Sequence, residues 1–138
     1  MFLHNVLIID DDTDDQLLIS DAFTSCECQC VLQFAGNGRQ ALDVMIKSAY
    51  RPDLILLDLN MPVMTGFEFL LQFSGNSRFC GIPVIVLTTT SDINAIIASY
   101  KLGASSFIVK PQSFPALEKI ALELTNYWFK TVRLSPDA

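Results

Sequence analysis

Hydrophobic and polar positions along this chain follow two different periods, and the way those periods take turns predicts its architecture. Five short apolar runs, Asn5–Ile9, Cys30–Ala35, Leu54–Leu57, Val84–Leu87 and Ser106–Val109, stop at acidic or turn residues and are too short for helices. They predict strands. Leu54–Leu57 is apolar at every position, the mark of a strand covered on both faces. Helical spacing fills the intervals. The first helix is expected at Thr13-Asp14-Asp15-Gln16, a capping-box pattern with Thr13 as N-cap, and to run to about Phe23 or Thr24. The second follows Gly36-Asn37-Gly38, with Ala41, Leu42, Met45, Ile46 and Ala49 on its inner side. Thr65-Gly66-Phe67-Glu68 is another capping box, opening a third helix expected to bury Phe67, Leu70 and Leu71. The fourth starts at Ser91 or Asp92, carries the stripe Ile93, Ile96, Ile97 and Tyr100, and stops at Gly103. The fifth begins near Ser113 and Pro115, with Leu117, Ile120, Ala121, Leu124 and Trp128 as its core stripe.

Strand and helix thus alternate five times. That rhythm predicts an α/β domain with a parallel sheet, right-handed crossovers and helices on both faces. No linker or repeat divides residues 1–138, so one domain is expected, with too little chain after the last helix for an output domain. Composition adds limits: 51% of residues are hydrophobic, ample for one core, and the net charge of −6 disfavours nucleic acid and anionic membranes as partners. No apolar run reaches the roughly 20 residues of a membrane span, and no signal peptide precedes the first strand, so a cytoplasmic location is expected. Cys26, Cys28 and Cys30 alternate too closely for the usual structural-zinc spacing, and are expected as ordinary thiols with Cys30 entering a buried strand.

The chemistry gathers just past the strand ends. Asp10, Asp11 and Asp12 follow the first strand, Asp58 the third, Thr88 the fourth and Lys110 the fifth. In a parallel sheet these ends share one rim, where open α/β folds bind ligands. Like charges about 4 Å apart repel by roughly 4 kcal/mol at an effective dielectric near 20, so Asp10, Asp11 and Asp58 need a cation or Lys110 among them. All-oxygen ligands with open water positions suit Mg²⁺ better than Ca²⁺. A hard cation beside a lysine, a hydroxyl and a free carboxylate suits phosphoryl transfer, with Asp58 as nucleophile forming an acyl phosphate.

Ile9-Asp10-Asp11-Asp12, Leu57-Asp58-Leu59-Asn60-Met61-Pro62 with Gly66, Leu87-Thr88 and Val109-Lys110-Pro111 together resemble the signature of the receiver domain of two-component response regulators, of the stand-alone CheY-like type. The resemblance covers nearly the whole chain and keeps motif order and spacing. It implies a flavodoxin-like (βα)5 three-layer sandwich with strand order 2-1-3-4-5. It also implies that Asp58 accepts a phosphoryl group from a phosphohistidine of a sensor histidine kinase or histidine phosphotransfer protein, so the chain is no turnover enzyme. Asp11, Asp58 and the Asn60 backbone carbonyl would ligate Mg²⁺, or Mn²⁺ in its place, with Asp10 acting mostly through water. Thr88 and Lys110 would bind phosphoryl oxygens, Phe107 would be the aromatic switch partner of Thr88, and Lys110-Pro111 would be a cis peptide. The face built from the fourth helix, fifth strand and last helix would carry the output to a downstream protein.

This chain departs from the family pattern at Thr89, where a small residue is usual, at Phe107, where Tyr is frequent, and at Gln112, where Phe often follows Lys-Pro. His4 has no partner motif and is expected at the surface. Tyr127, Phe129 and Val132 cannot all face inward on one helix, which makes the last helix a candidate contact for a partner or a second copy. Two rivals differ in class. A scaffold that binds partners without phosphorylation would not need Asp11, Asp58, Thr88 and Lys110 together. A haloacid-dehalogenase-like phosphatase would want Asp where Asn60 stands.

Overall fold

The computed structural model describes residues 3–26 and 29–136. Five strands, β1 (His4–Ile9), β2 (Cys30–Ala35), β3 (Leu54–Leu57), β4 (Val84–Thr88) and β5 (Ser106–Val109), alternate with five helices. The helices are α1 (Thr13–Ser25), α2 (Gly38–Lys47), α3 (Gly66–Ser74), α4 (Ile93–Lys101) and α5 (Phe114–Asn126). A 3₁₀ turn at Ser77–Phe79 precedes β4, and α5 runs on into a π-helical turn, Tyr127–Thr131. The sheet is parallel throughout, in the order β2-β1-β3-β4-β5.

Side-chain alternation along the central strands divides the core into two layers. Leu7, Ile9, Ile55, Leu57, Val84 and Val86 pack with Leu42, Met45, Phe69 and Phe73 from α2 and α3. Val6, Ile8, Leu54, Leu56, Ile85 and Leu87 pack with Ile19, Phe23, Ala121 and Leu124 from α1 and α5. Strands covered on both faces need apolar residues at every position, which is why β3 and β4 read as unbroken runs.

Several local expectations are corrected. Asp12, not Thr13, caps α1: its carboxylate accepts from the Asp14 and Asp15 amides. An Asp at the cap offers a charged acceptor to the positive helix end, a stronger match than a hydroxyl. In α3 the buried residues are Phe69, Leu70 and Phe73, whereas Leu71 is exposed and Phe67 half-buried. The α2 residue Ile46 is exposed, and Ala49 lies past the helix with φ +50°. The α4 stripe is not core: Ile93, Ile97 and Tyr100 are exposed, and Ala95 and Leu102 make the contact with the core. The α3 and α4 misreadings share a cause. Where nearly every residue of a short helix is apolar, spacing alone does not say which side meets the sheet.

β2 is an edge strand, so Cys30 starts it half-buried instead of enclosed, and it is disulfide-bonded rather than a plain thiol. Cys28 lies outside the described residues. Cys26 follows α1 as its C-cap, its thiol donating to the Phe23 carbonyl at 3.1 Å. His4 is only half-exposed because its ring stacks on Phe129 at 4.2 Å between centroids. That contact leaves Tyr127 as the exposed aromatic of the chain's last helical stretch, while Trp128 packs on the core.

Candidate functional site

Strand register builds the site before any side chain is considered. Ile9 pairs with Leu57, and the Asp58 amide donates to the Ile9 carbonyl at 2.9 Å, so Asp10 and Asp58 emerge side by side. Thr88 ends β4 opposite Val109, and the Lys110 amide donates to the Thr88 carbonyl at 2.7 Å. Both acids and both phosphate-binding candidates therefore leave adjacent strands at the same edge. Gly66 closes the floor of the β3–α3 loop. Its amide donates to the Leu59 carbonyl at 2.9 Å, and a Cβ there would lie 2.6 Å from the Asp58 carbonyl oxygen. Only glycine permits that approach.

Asp58 is buried and both of its carboxylate oxygens are engaged. Oδ1 accepts from the Thr88 hydroxyl at 2.8 Å and from the Asn60 amide at 3.4 Å. Oδ2 faces the Lys110 ammonium at 3.4 Å. Asp10 is 2% exposed; its Oδ1 accepts from the Asp12 amide and its Oδ2 from Lys110 at 2.8 Å. Burial raises the Asp10 pKa above the ordinary 3.8, against the lowering pull of Lys110 and the Asp12 amide. Burial works to lower the Lys110 pKa, yet hydrogen bonds to Asp10 and Asp15 and the charges of Asp10 and Asp58 carry it above the usual lysine range. Lys110 is accordingly a fixed positive charge.

Asp10, Asp11 and Asp58 each present a carboxylate oxygen, and the three atoms lie within 4.8 Å of one another. Asp11 is exposed and the other two are buried, so a cation held there meets protein on one side and water on the other. Such a set of hard oxygen donors fits a hard divalent ion. Asn60 lies beside the cluster, its amide already directed to Asp58. Phe107 is half-buried against the α2–α3 core layer, and its amide donates to the Tyr100 hydroxyl at 3.1 Å. Thr89 is exposed beside Thr88.

Two features escaped the sequence reading. Asp15, taken only as a first-turn helix acid, accepts from Lys110 at 2.8 Å, as closely as Asp10 does. Gln16 donates to the Asp10 carbonyl at 2.6 Å and so ties α1 to the end of β1. The signal for Asp15 was its place in the first turn of a helix that starts at the acidic rim, directly after Asp10 and Asp11. One expectation fails. Lys110-Pro111 is trans, as no described peptide bond is cis. Trans is the favoured isomer of X-Pro bonds, and Lys110 reaches the acids without the rarer form.

The comparisons with known proteins agree with this geometry. Residues 6–122 match the response regulator receiver domain model. The chain belongs to that family. Among its relatives, response regulator Rcp1 of Synechocystis sp. is 30% identical over 134 residues, covering 94% of this chain and 91% of that protein. Sporulation initiation phosphotransferase F of Bacillus subtilis is 35% identical over 111 residues, covering 80% of this chain and 85% of that protein. Among solved structures, the phosphorylated cyanobacterial phytochrome response regulator RcpA superposes with a TM-score of 0.91 at 28% identity, covering 98% of this chain and all of that one. The Mn²⁺-bound form of Rcp1 superposes with a TM-score of 0.86 at 29% identity, covering 96% and 99%. This receiver domain therefore has the CheY-like, flavodoxin-like fold expected of a two-component response regulator. No described helix is long and apolar enough to cross a membrane.

Proposed function

We propose that this receiver domain takes a phosphoryl group onto Asp58 from a phosphohistidine of a sensor histidine kinase or histidine phosphotransfer protein, in a Mg²⁺-dependent step. What carries the reading is the setting of Asp58: one carboxylate bonded by Thr88, faced by Lys110 and sharing a 4.8 Å cluster with Asp10 and Asp11. An Asp58 oxygen forms the new bond to phosphorus as the phosphorus–nitrogen bond to the donor imidazole breaks in line. The imidazole leaves with the electron pair and gains a proton. Lys110 neutralises charge on the transferring group, and the Thr88 hydroxyl, now given to Asp58, has a phosphoryl oxygen to turn to. Asp10, Asp11, Asp58 and the Asn60 backbone carbonyl are the groups that would hold Mg²⁺, or Mn²⁺, whose positive charge would offset the negative charge of the incoming phosphoryl oxygens.

Movement of Thr88 frees space that Phe107 follows into, and this biases the surface of α4, β5 and α5. That surface already shows Ile93, Ile97, Tyr100, Val109 and Phe114 to solvent, an apolar face suited to a protein partner or a second copy. The output is protein binding at that face or onward phosphorelay within the cytoplasm, without turnover of external substrates. The test is transfer of radiolabel from histidine-phosphorylated kinases of the same genome. At least one kinase should label the wild type within seconds to minutes, and Asp58→Asn should take no label from it. Labelling that survives Asp58→Asn would refute the reading.

A further inference from the structure

The Lys110 ammonium has three N–H donors and three carboxylates around it: Asp10 and Asp15 at 2.8 Å, and Asp58 at 3.4 Å. The acceptor carboxylate is the most distant of the three. The ammonium is held toward α1, where the Asp15 backbone amide donates to the carboxylate of the Asp12 cap at 3.1 Å and so fixes Asp15 in the first helical turn. A small cleft lined by Asp15, Leu18, Lys110 and Pro111 lies on this same α1 side of the lysine. The Asp58 contact is the longest, so for the ammonium to close on a phosphoryl oxygen carried by Asp58 it must be drawn away from Asp10 or from Asp15. Releasing Asp10, whose side chain is 2% exposed, strands a buried charge. Releasing Asp15, whose side chain is 34% exposed, only returns a carboxylate to water.

We infer that Asp15 is a positioning residue that parks Lys110 on the α1 side and competes with an incoming phosphoryl group for its ammonium. This rests on the phospho-acceptor reading of Asp58 and adds a regulator to it. A strong tether makes the phosphoryl-engaged arrangement harder to reach, so residue 15 sets how readily the domain is loaded.

Beryllofluoride, a phosphoryl mimic, tests this by calorimetry on the full chain in saturating Mg²⁺. Asp15→Asn keeps the shape and removes the charge, and it should bind about tenfold more tightly than wild type, as expected for one charge-assisted hydrogen bond no longer opposing binding. Asp15→Glu keeps the charge and should bind as wild type does, within about threefold. In a Lys110→Ala background, Asp15→Asn should change nothing, because the tether has lost its cargo. Unchanged or weaker binding by Asp15→Asn overturns the inference, as does equal tightening with or without Lys110, which would mark a general field effect. A wild type that binds no beryllofluoride overturns both this and the phospho-acceptor reading. A wild type that binds while Asp15→Asn is indifferent defeats the Asp15 inference alone.

Discussion

Replacing Lys110 with methionine removes the cation that contacts Asp10, Asp15 and Asp58 while keeping most of the side-chain bulk, so it isolates what holds them together. Asp10, Asp11 and Asp58 present oxygens within 4.8 Å of one another, and two of the three are buried. At that spacing and an effective dielectric near 20, each ionised pair repels by roughly 3 kcal/mol. Lys110 also donates to Asp10 and Asp15 at 2.8 Å and to Asp58 at 3.4 Å, bonds that the variant cannot replace. Relief of the lysine's own burial and protonation of Asp10 offset part of this. Breaking a buried ion pair from one side usually costs about 3–5 kcal/mol, and with these offsets the expected net loss at neutral pH without divalent ions is about 2–4 kcal/mol. Urea unfolding followed by the fluorescence of Trp128, which packs on the α1–α5 core layer, reads this as a midpoint lowered by roughly 1–2 M. Added Mg²⁺ should restore more stability to the variant than it adds to the wild type, since the ion replaces the missing charge. A variant within about 0.5 kcal/mol of wild type in metal-free buffer would refute this electrostatic account.

Three further outcomes follow from the same geometry. Burial raises the Asp10 pKa above 3.8, so the native state keeps a proton that the unfolded chain has lost. That contribution to stability is full below about pH 3.8 and is lost as pH rises through the folded value, a slope that Asp10→Asn should remove from unfolding free energies measured across the acid range. Thr88→Ala deletes a buried hydroxyl that donates to Asp58 at 2.8 Å; a loss of about 1–2 kcal/mol by urea unfolding is expected, and no loss would contradict the bond. Gly66→Ala places a methyl 2.6 Å from the Asp58 carbonyl oxygen and 2.7 Å from the Leu59 Cα, backbone atoms that cannot swing aside. It should cost about 2–3 kcal/mol, and a neutral result would mean the loop is looser than described.

The strand-and-acid plan was legible because buried parallel strands must be apolar at every position and must end where the chain turns polar. Leu54–Leu57 before Asp58 and Val84–Leu87 before Thr88 satisfy that rule in plain view. Helix orientation was less legible. Leu71 and Phe69 are equally apolar, and only packing against the sheet decides which is buried. The same holds for Ile93 and Ile97, whose exposure reflects a face left open rather than a core stripe. Asp12 and Asp15 shared one acidic run in the sequence. Their separation into a helix cap and a lysine ligand appears only when the first turn of α1 is set against Lys110.

Incubation with acetyl phosphate and Mg²⁺, followed by intact mass and peptide mapping, addresses the central claim most directly. The account predicts a single phosphoryl increment, confined to the peptide containing Asp58, dependent on the divalent ion and absent from Asp58→Asn. An unmodified mass under those conditions, or an increment on any other residue, would contradict it.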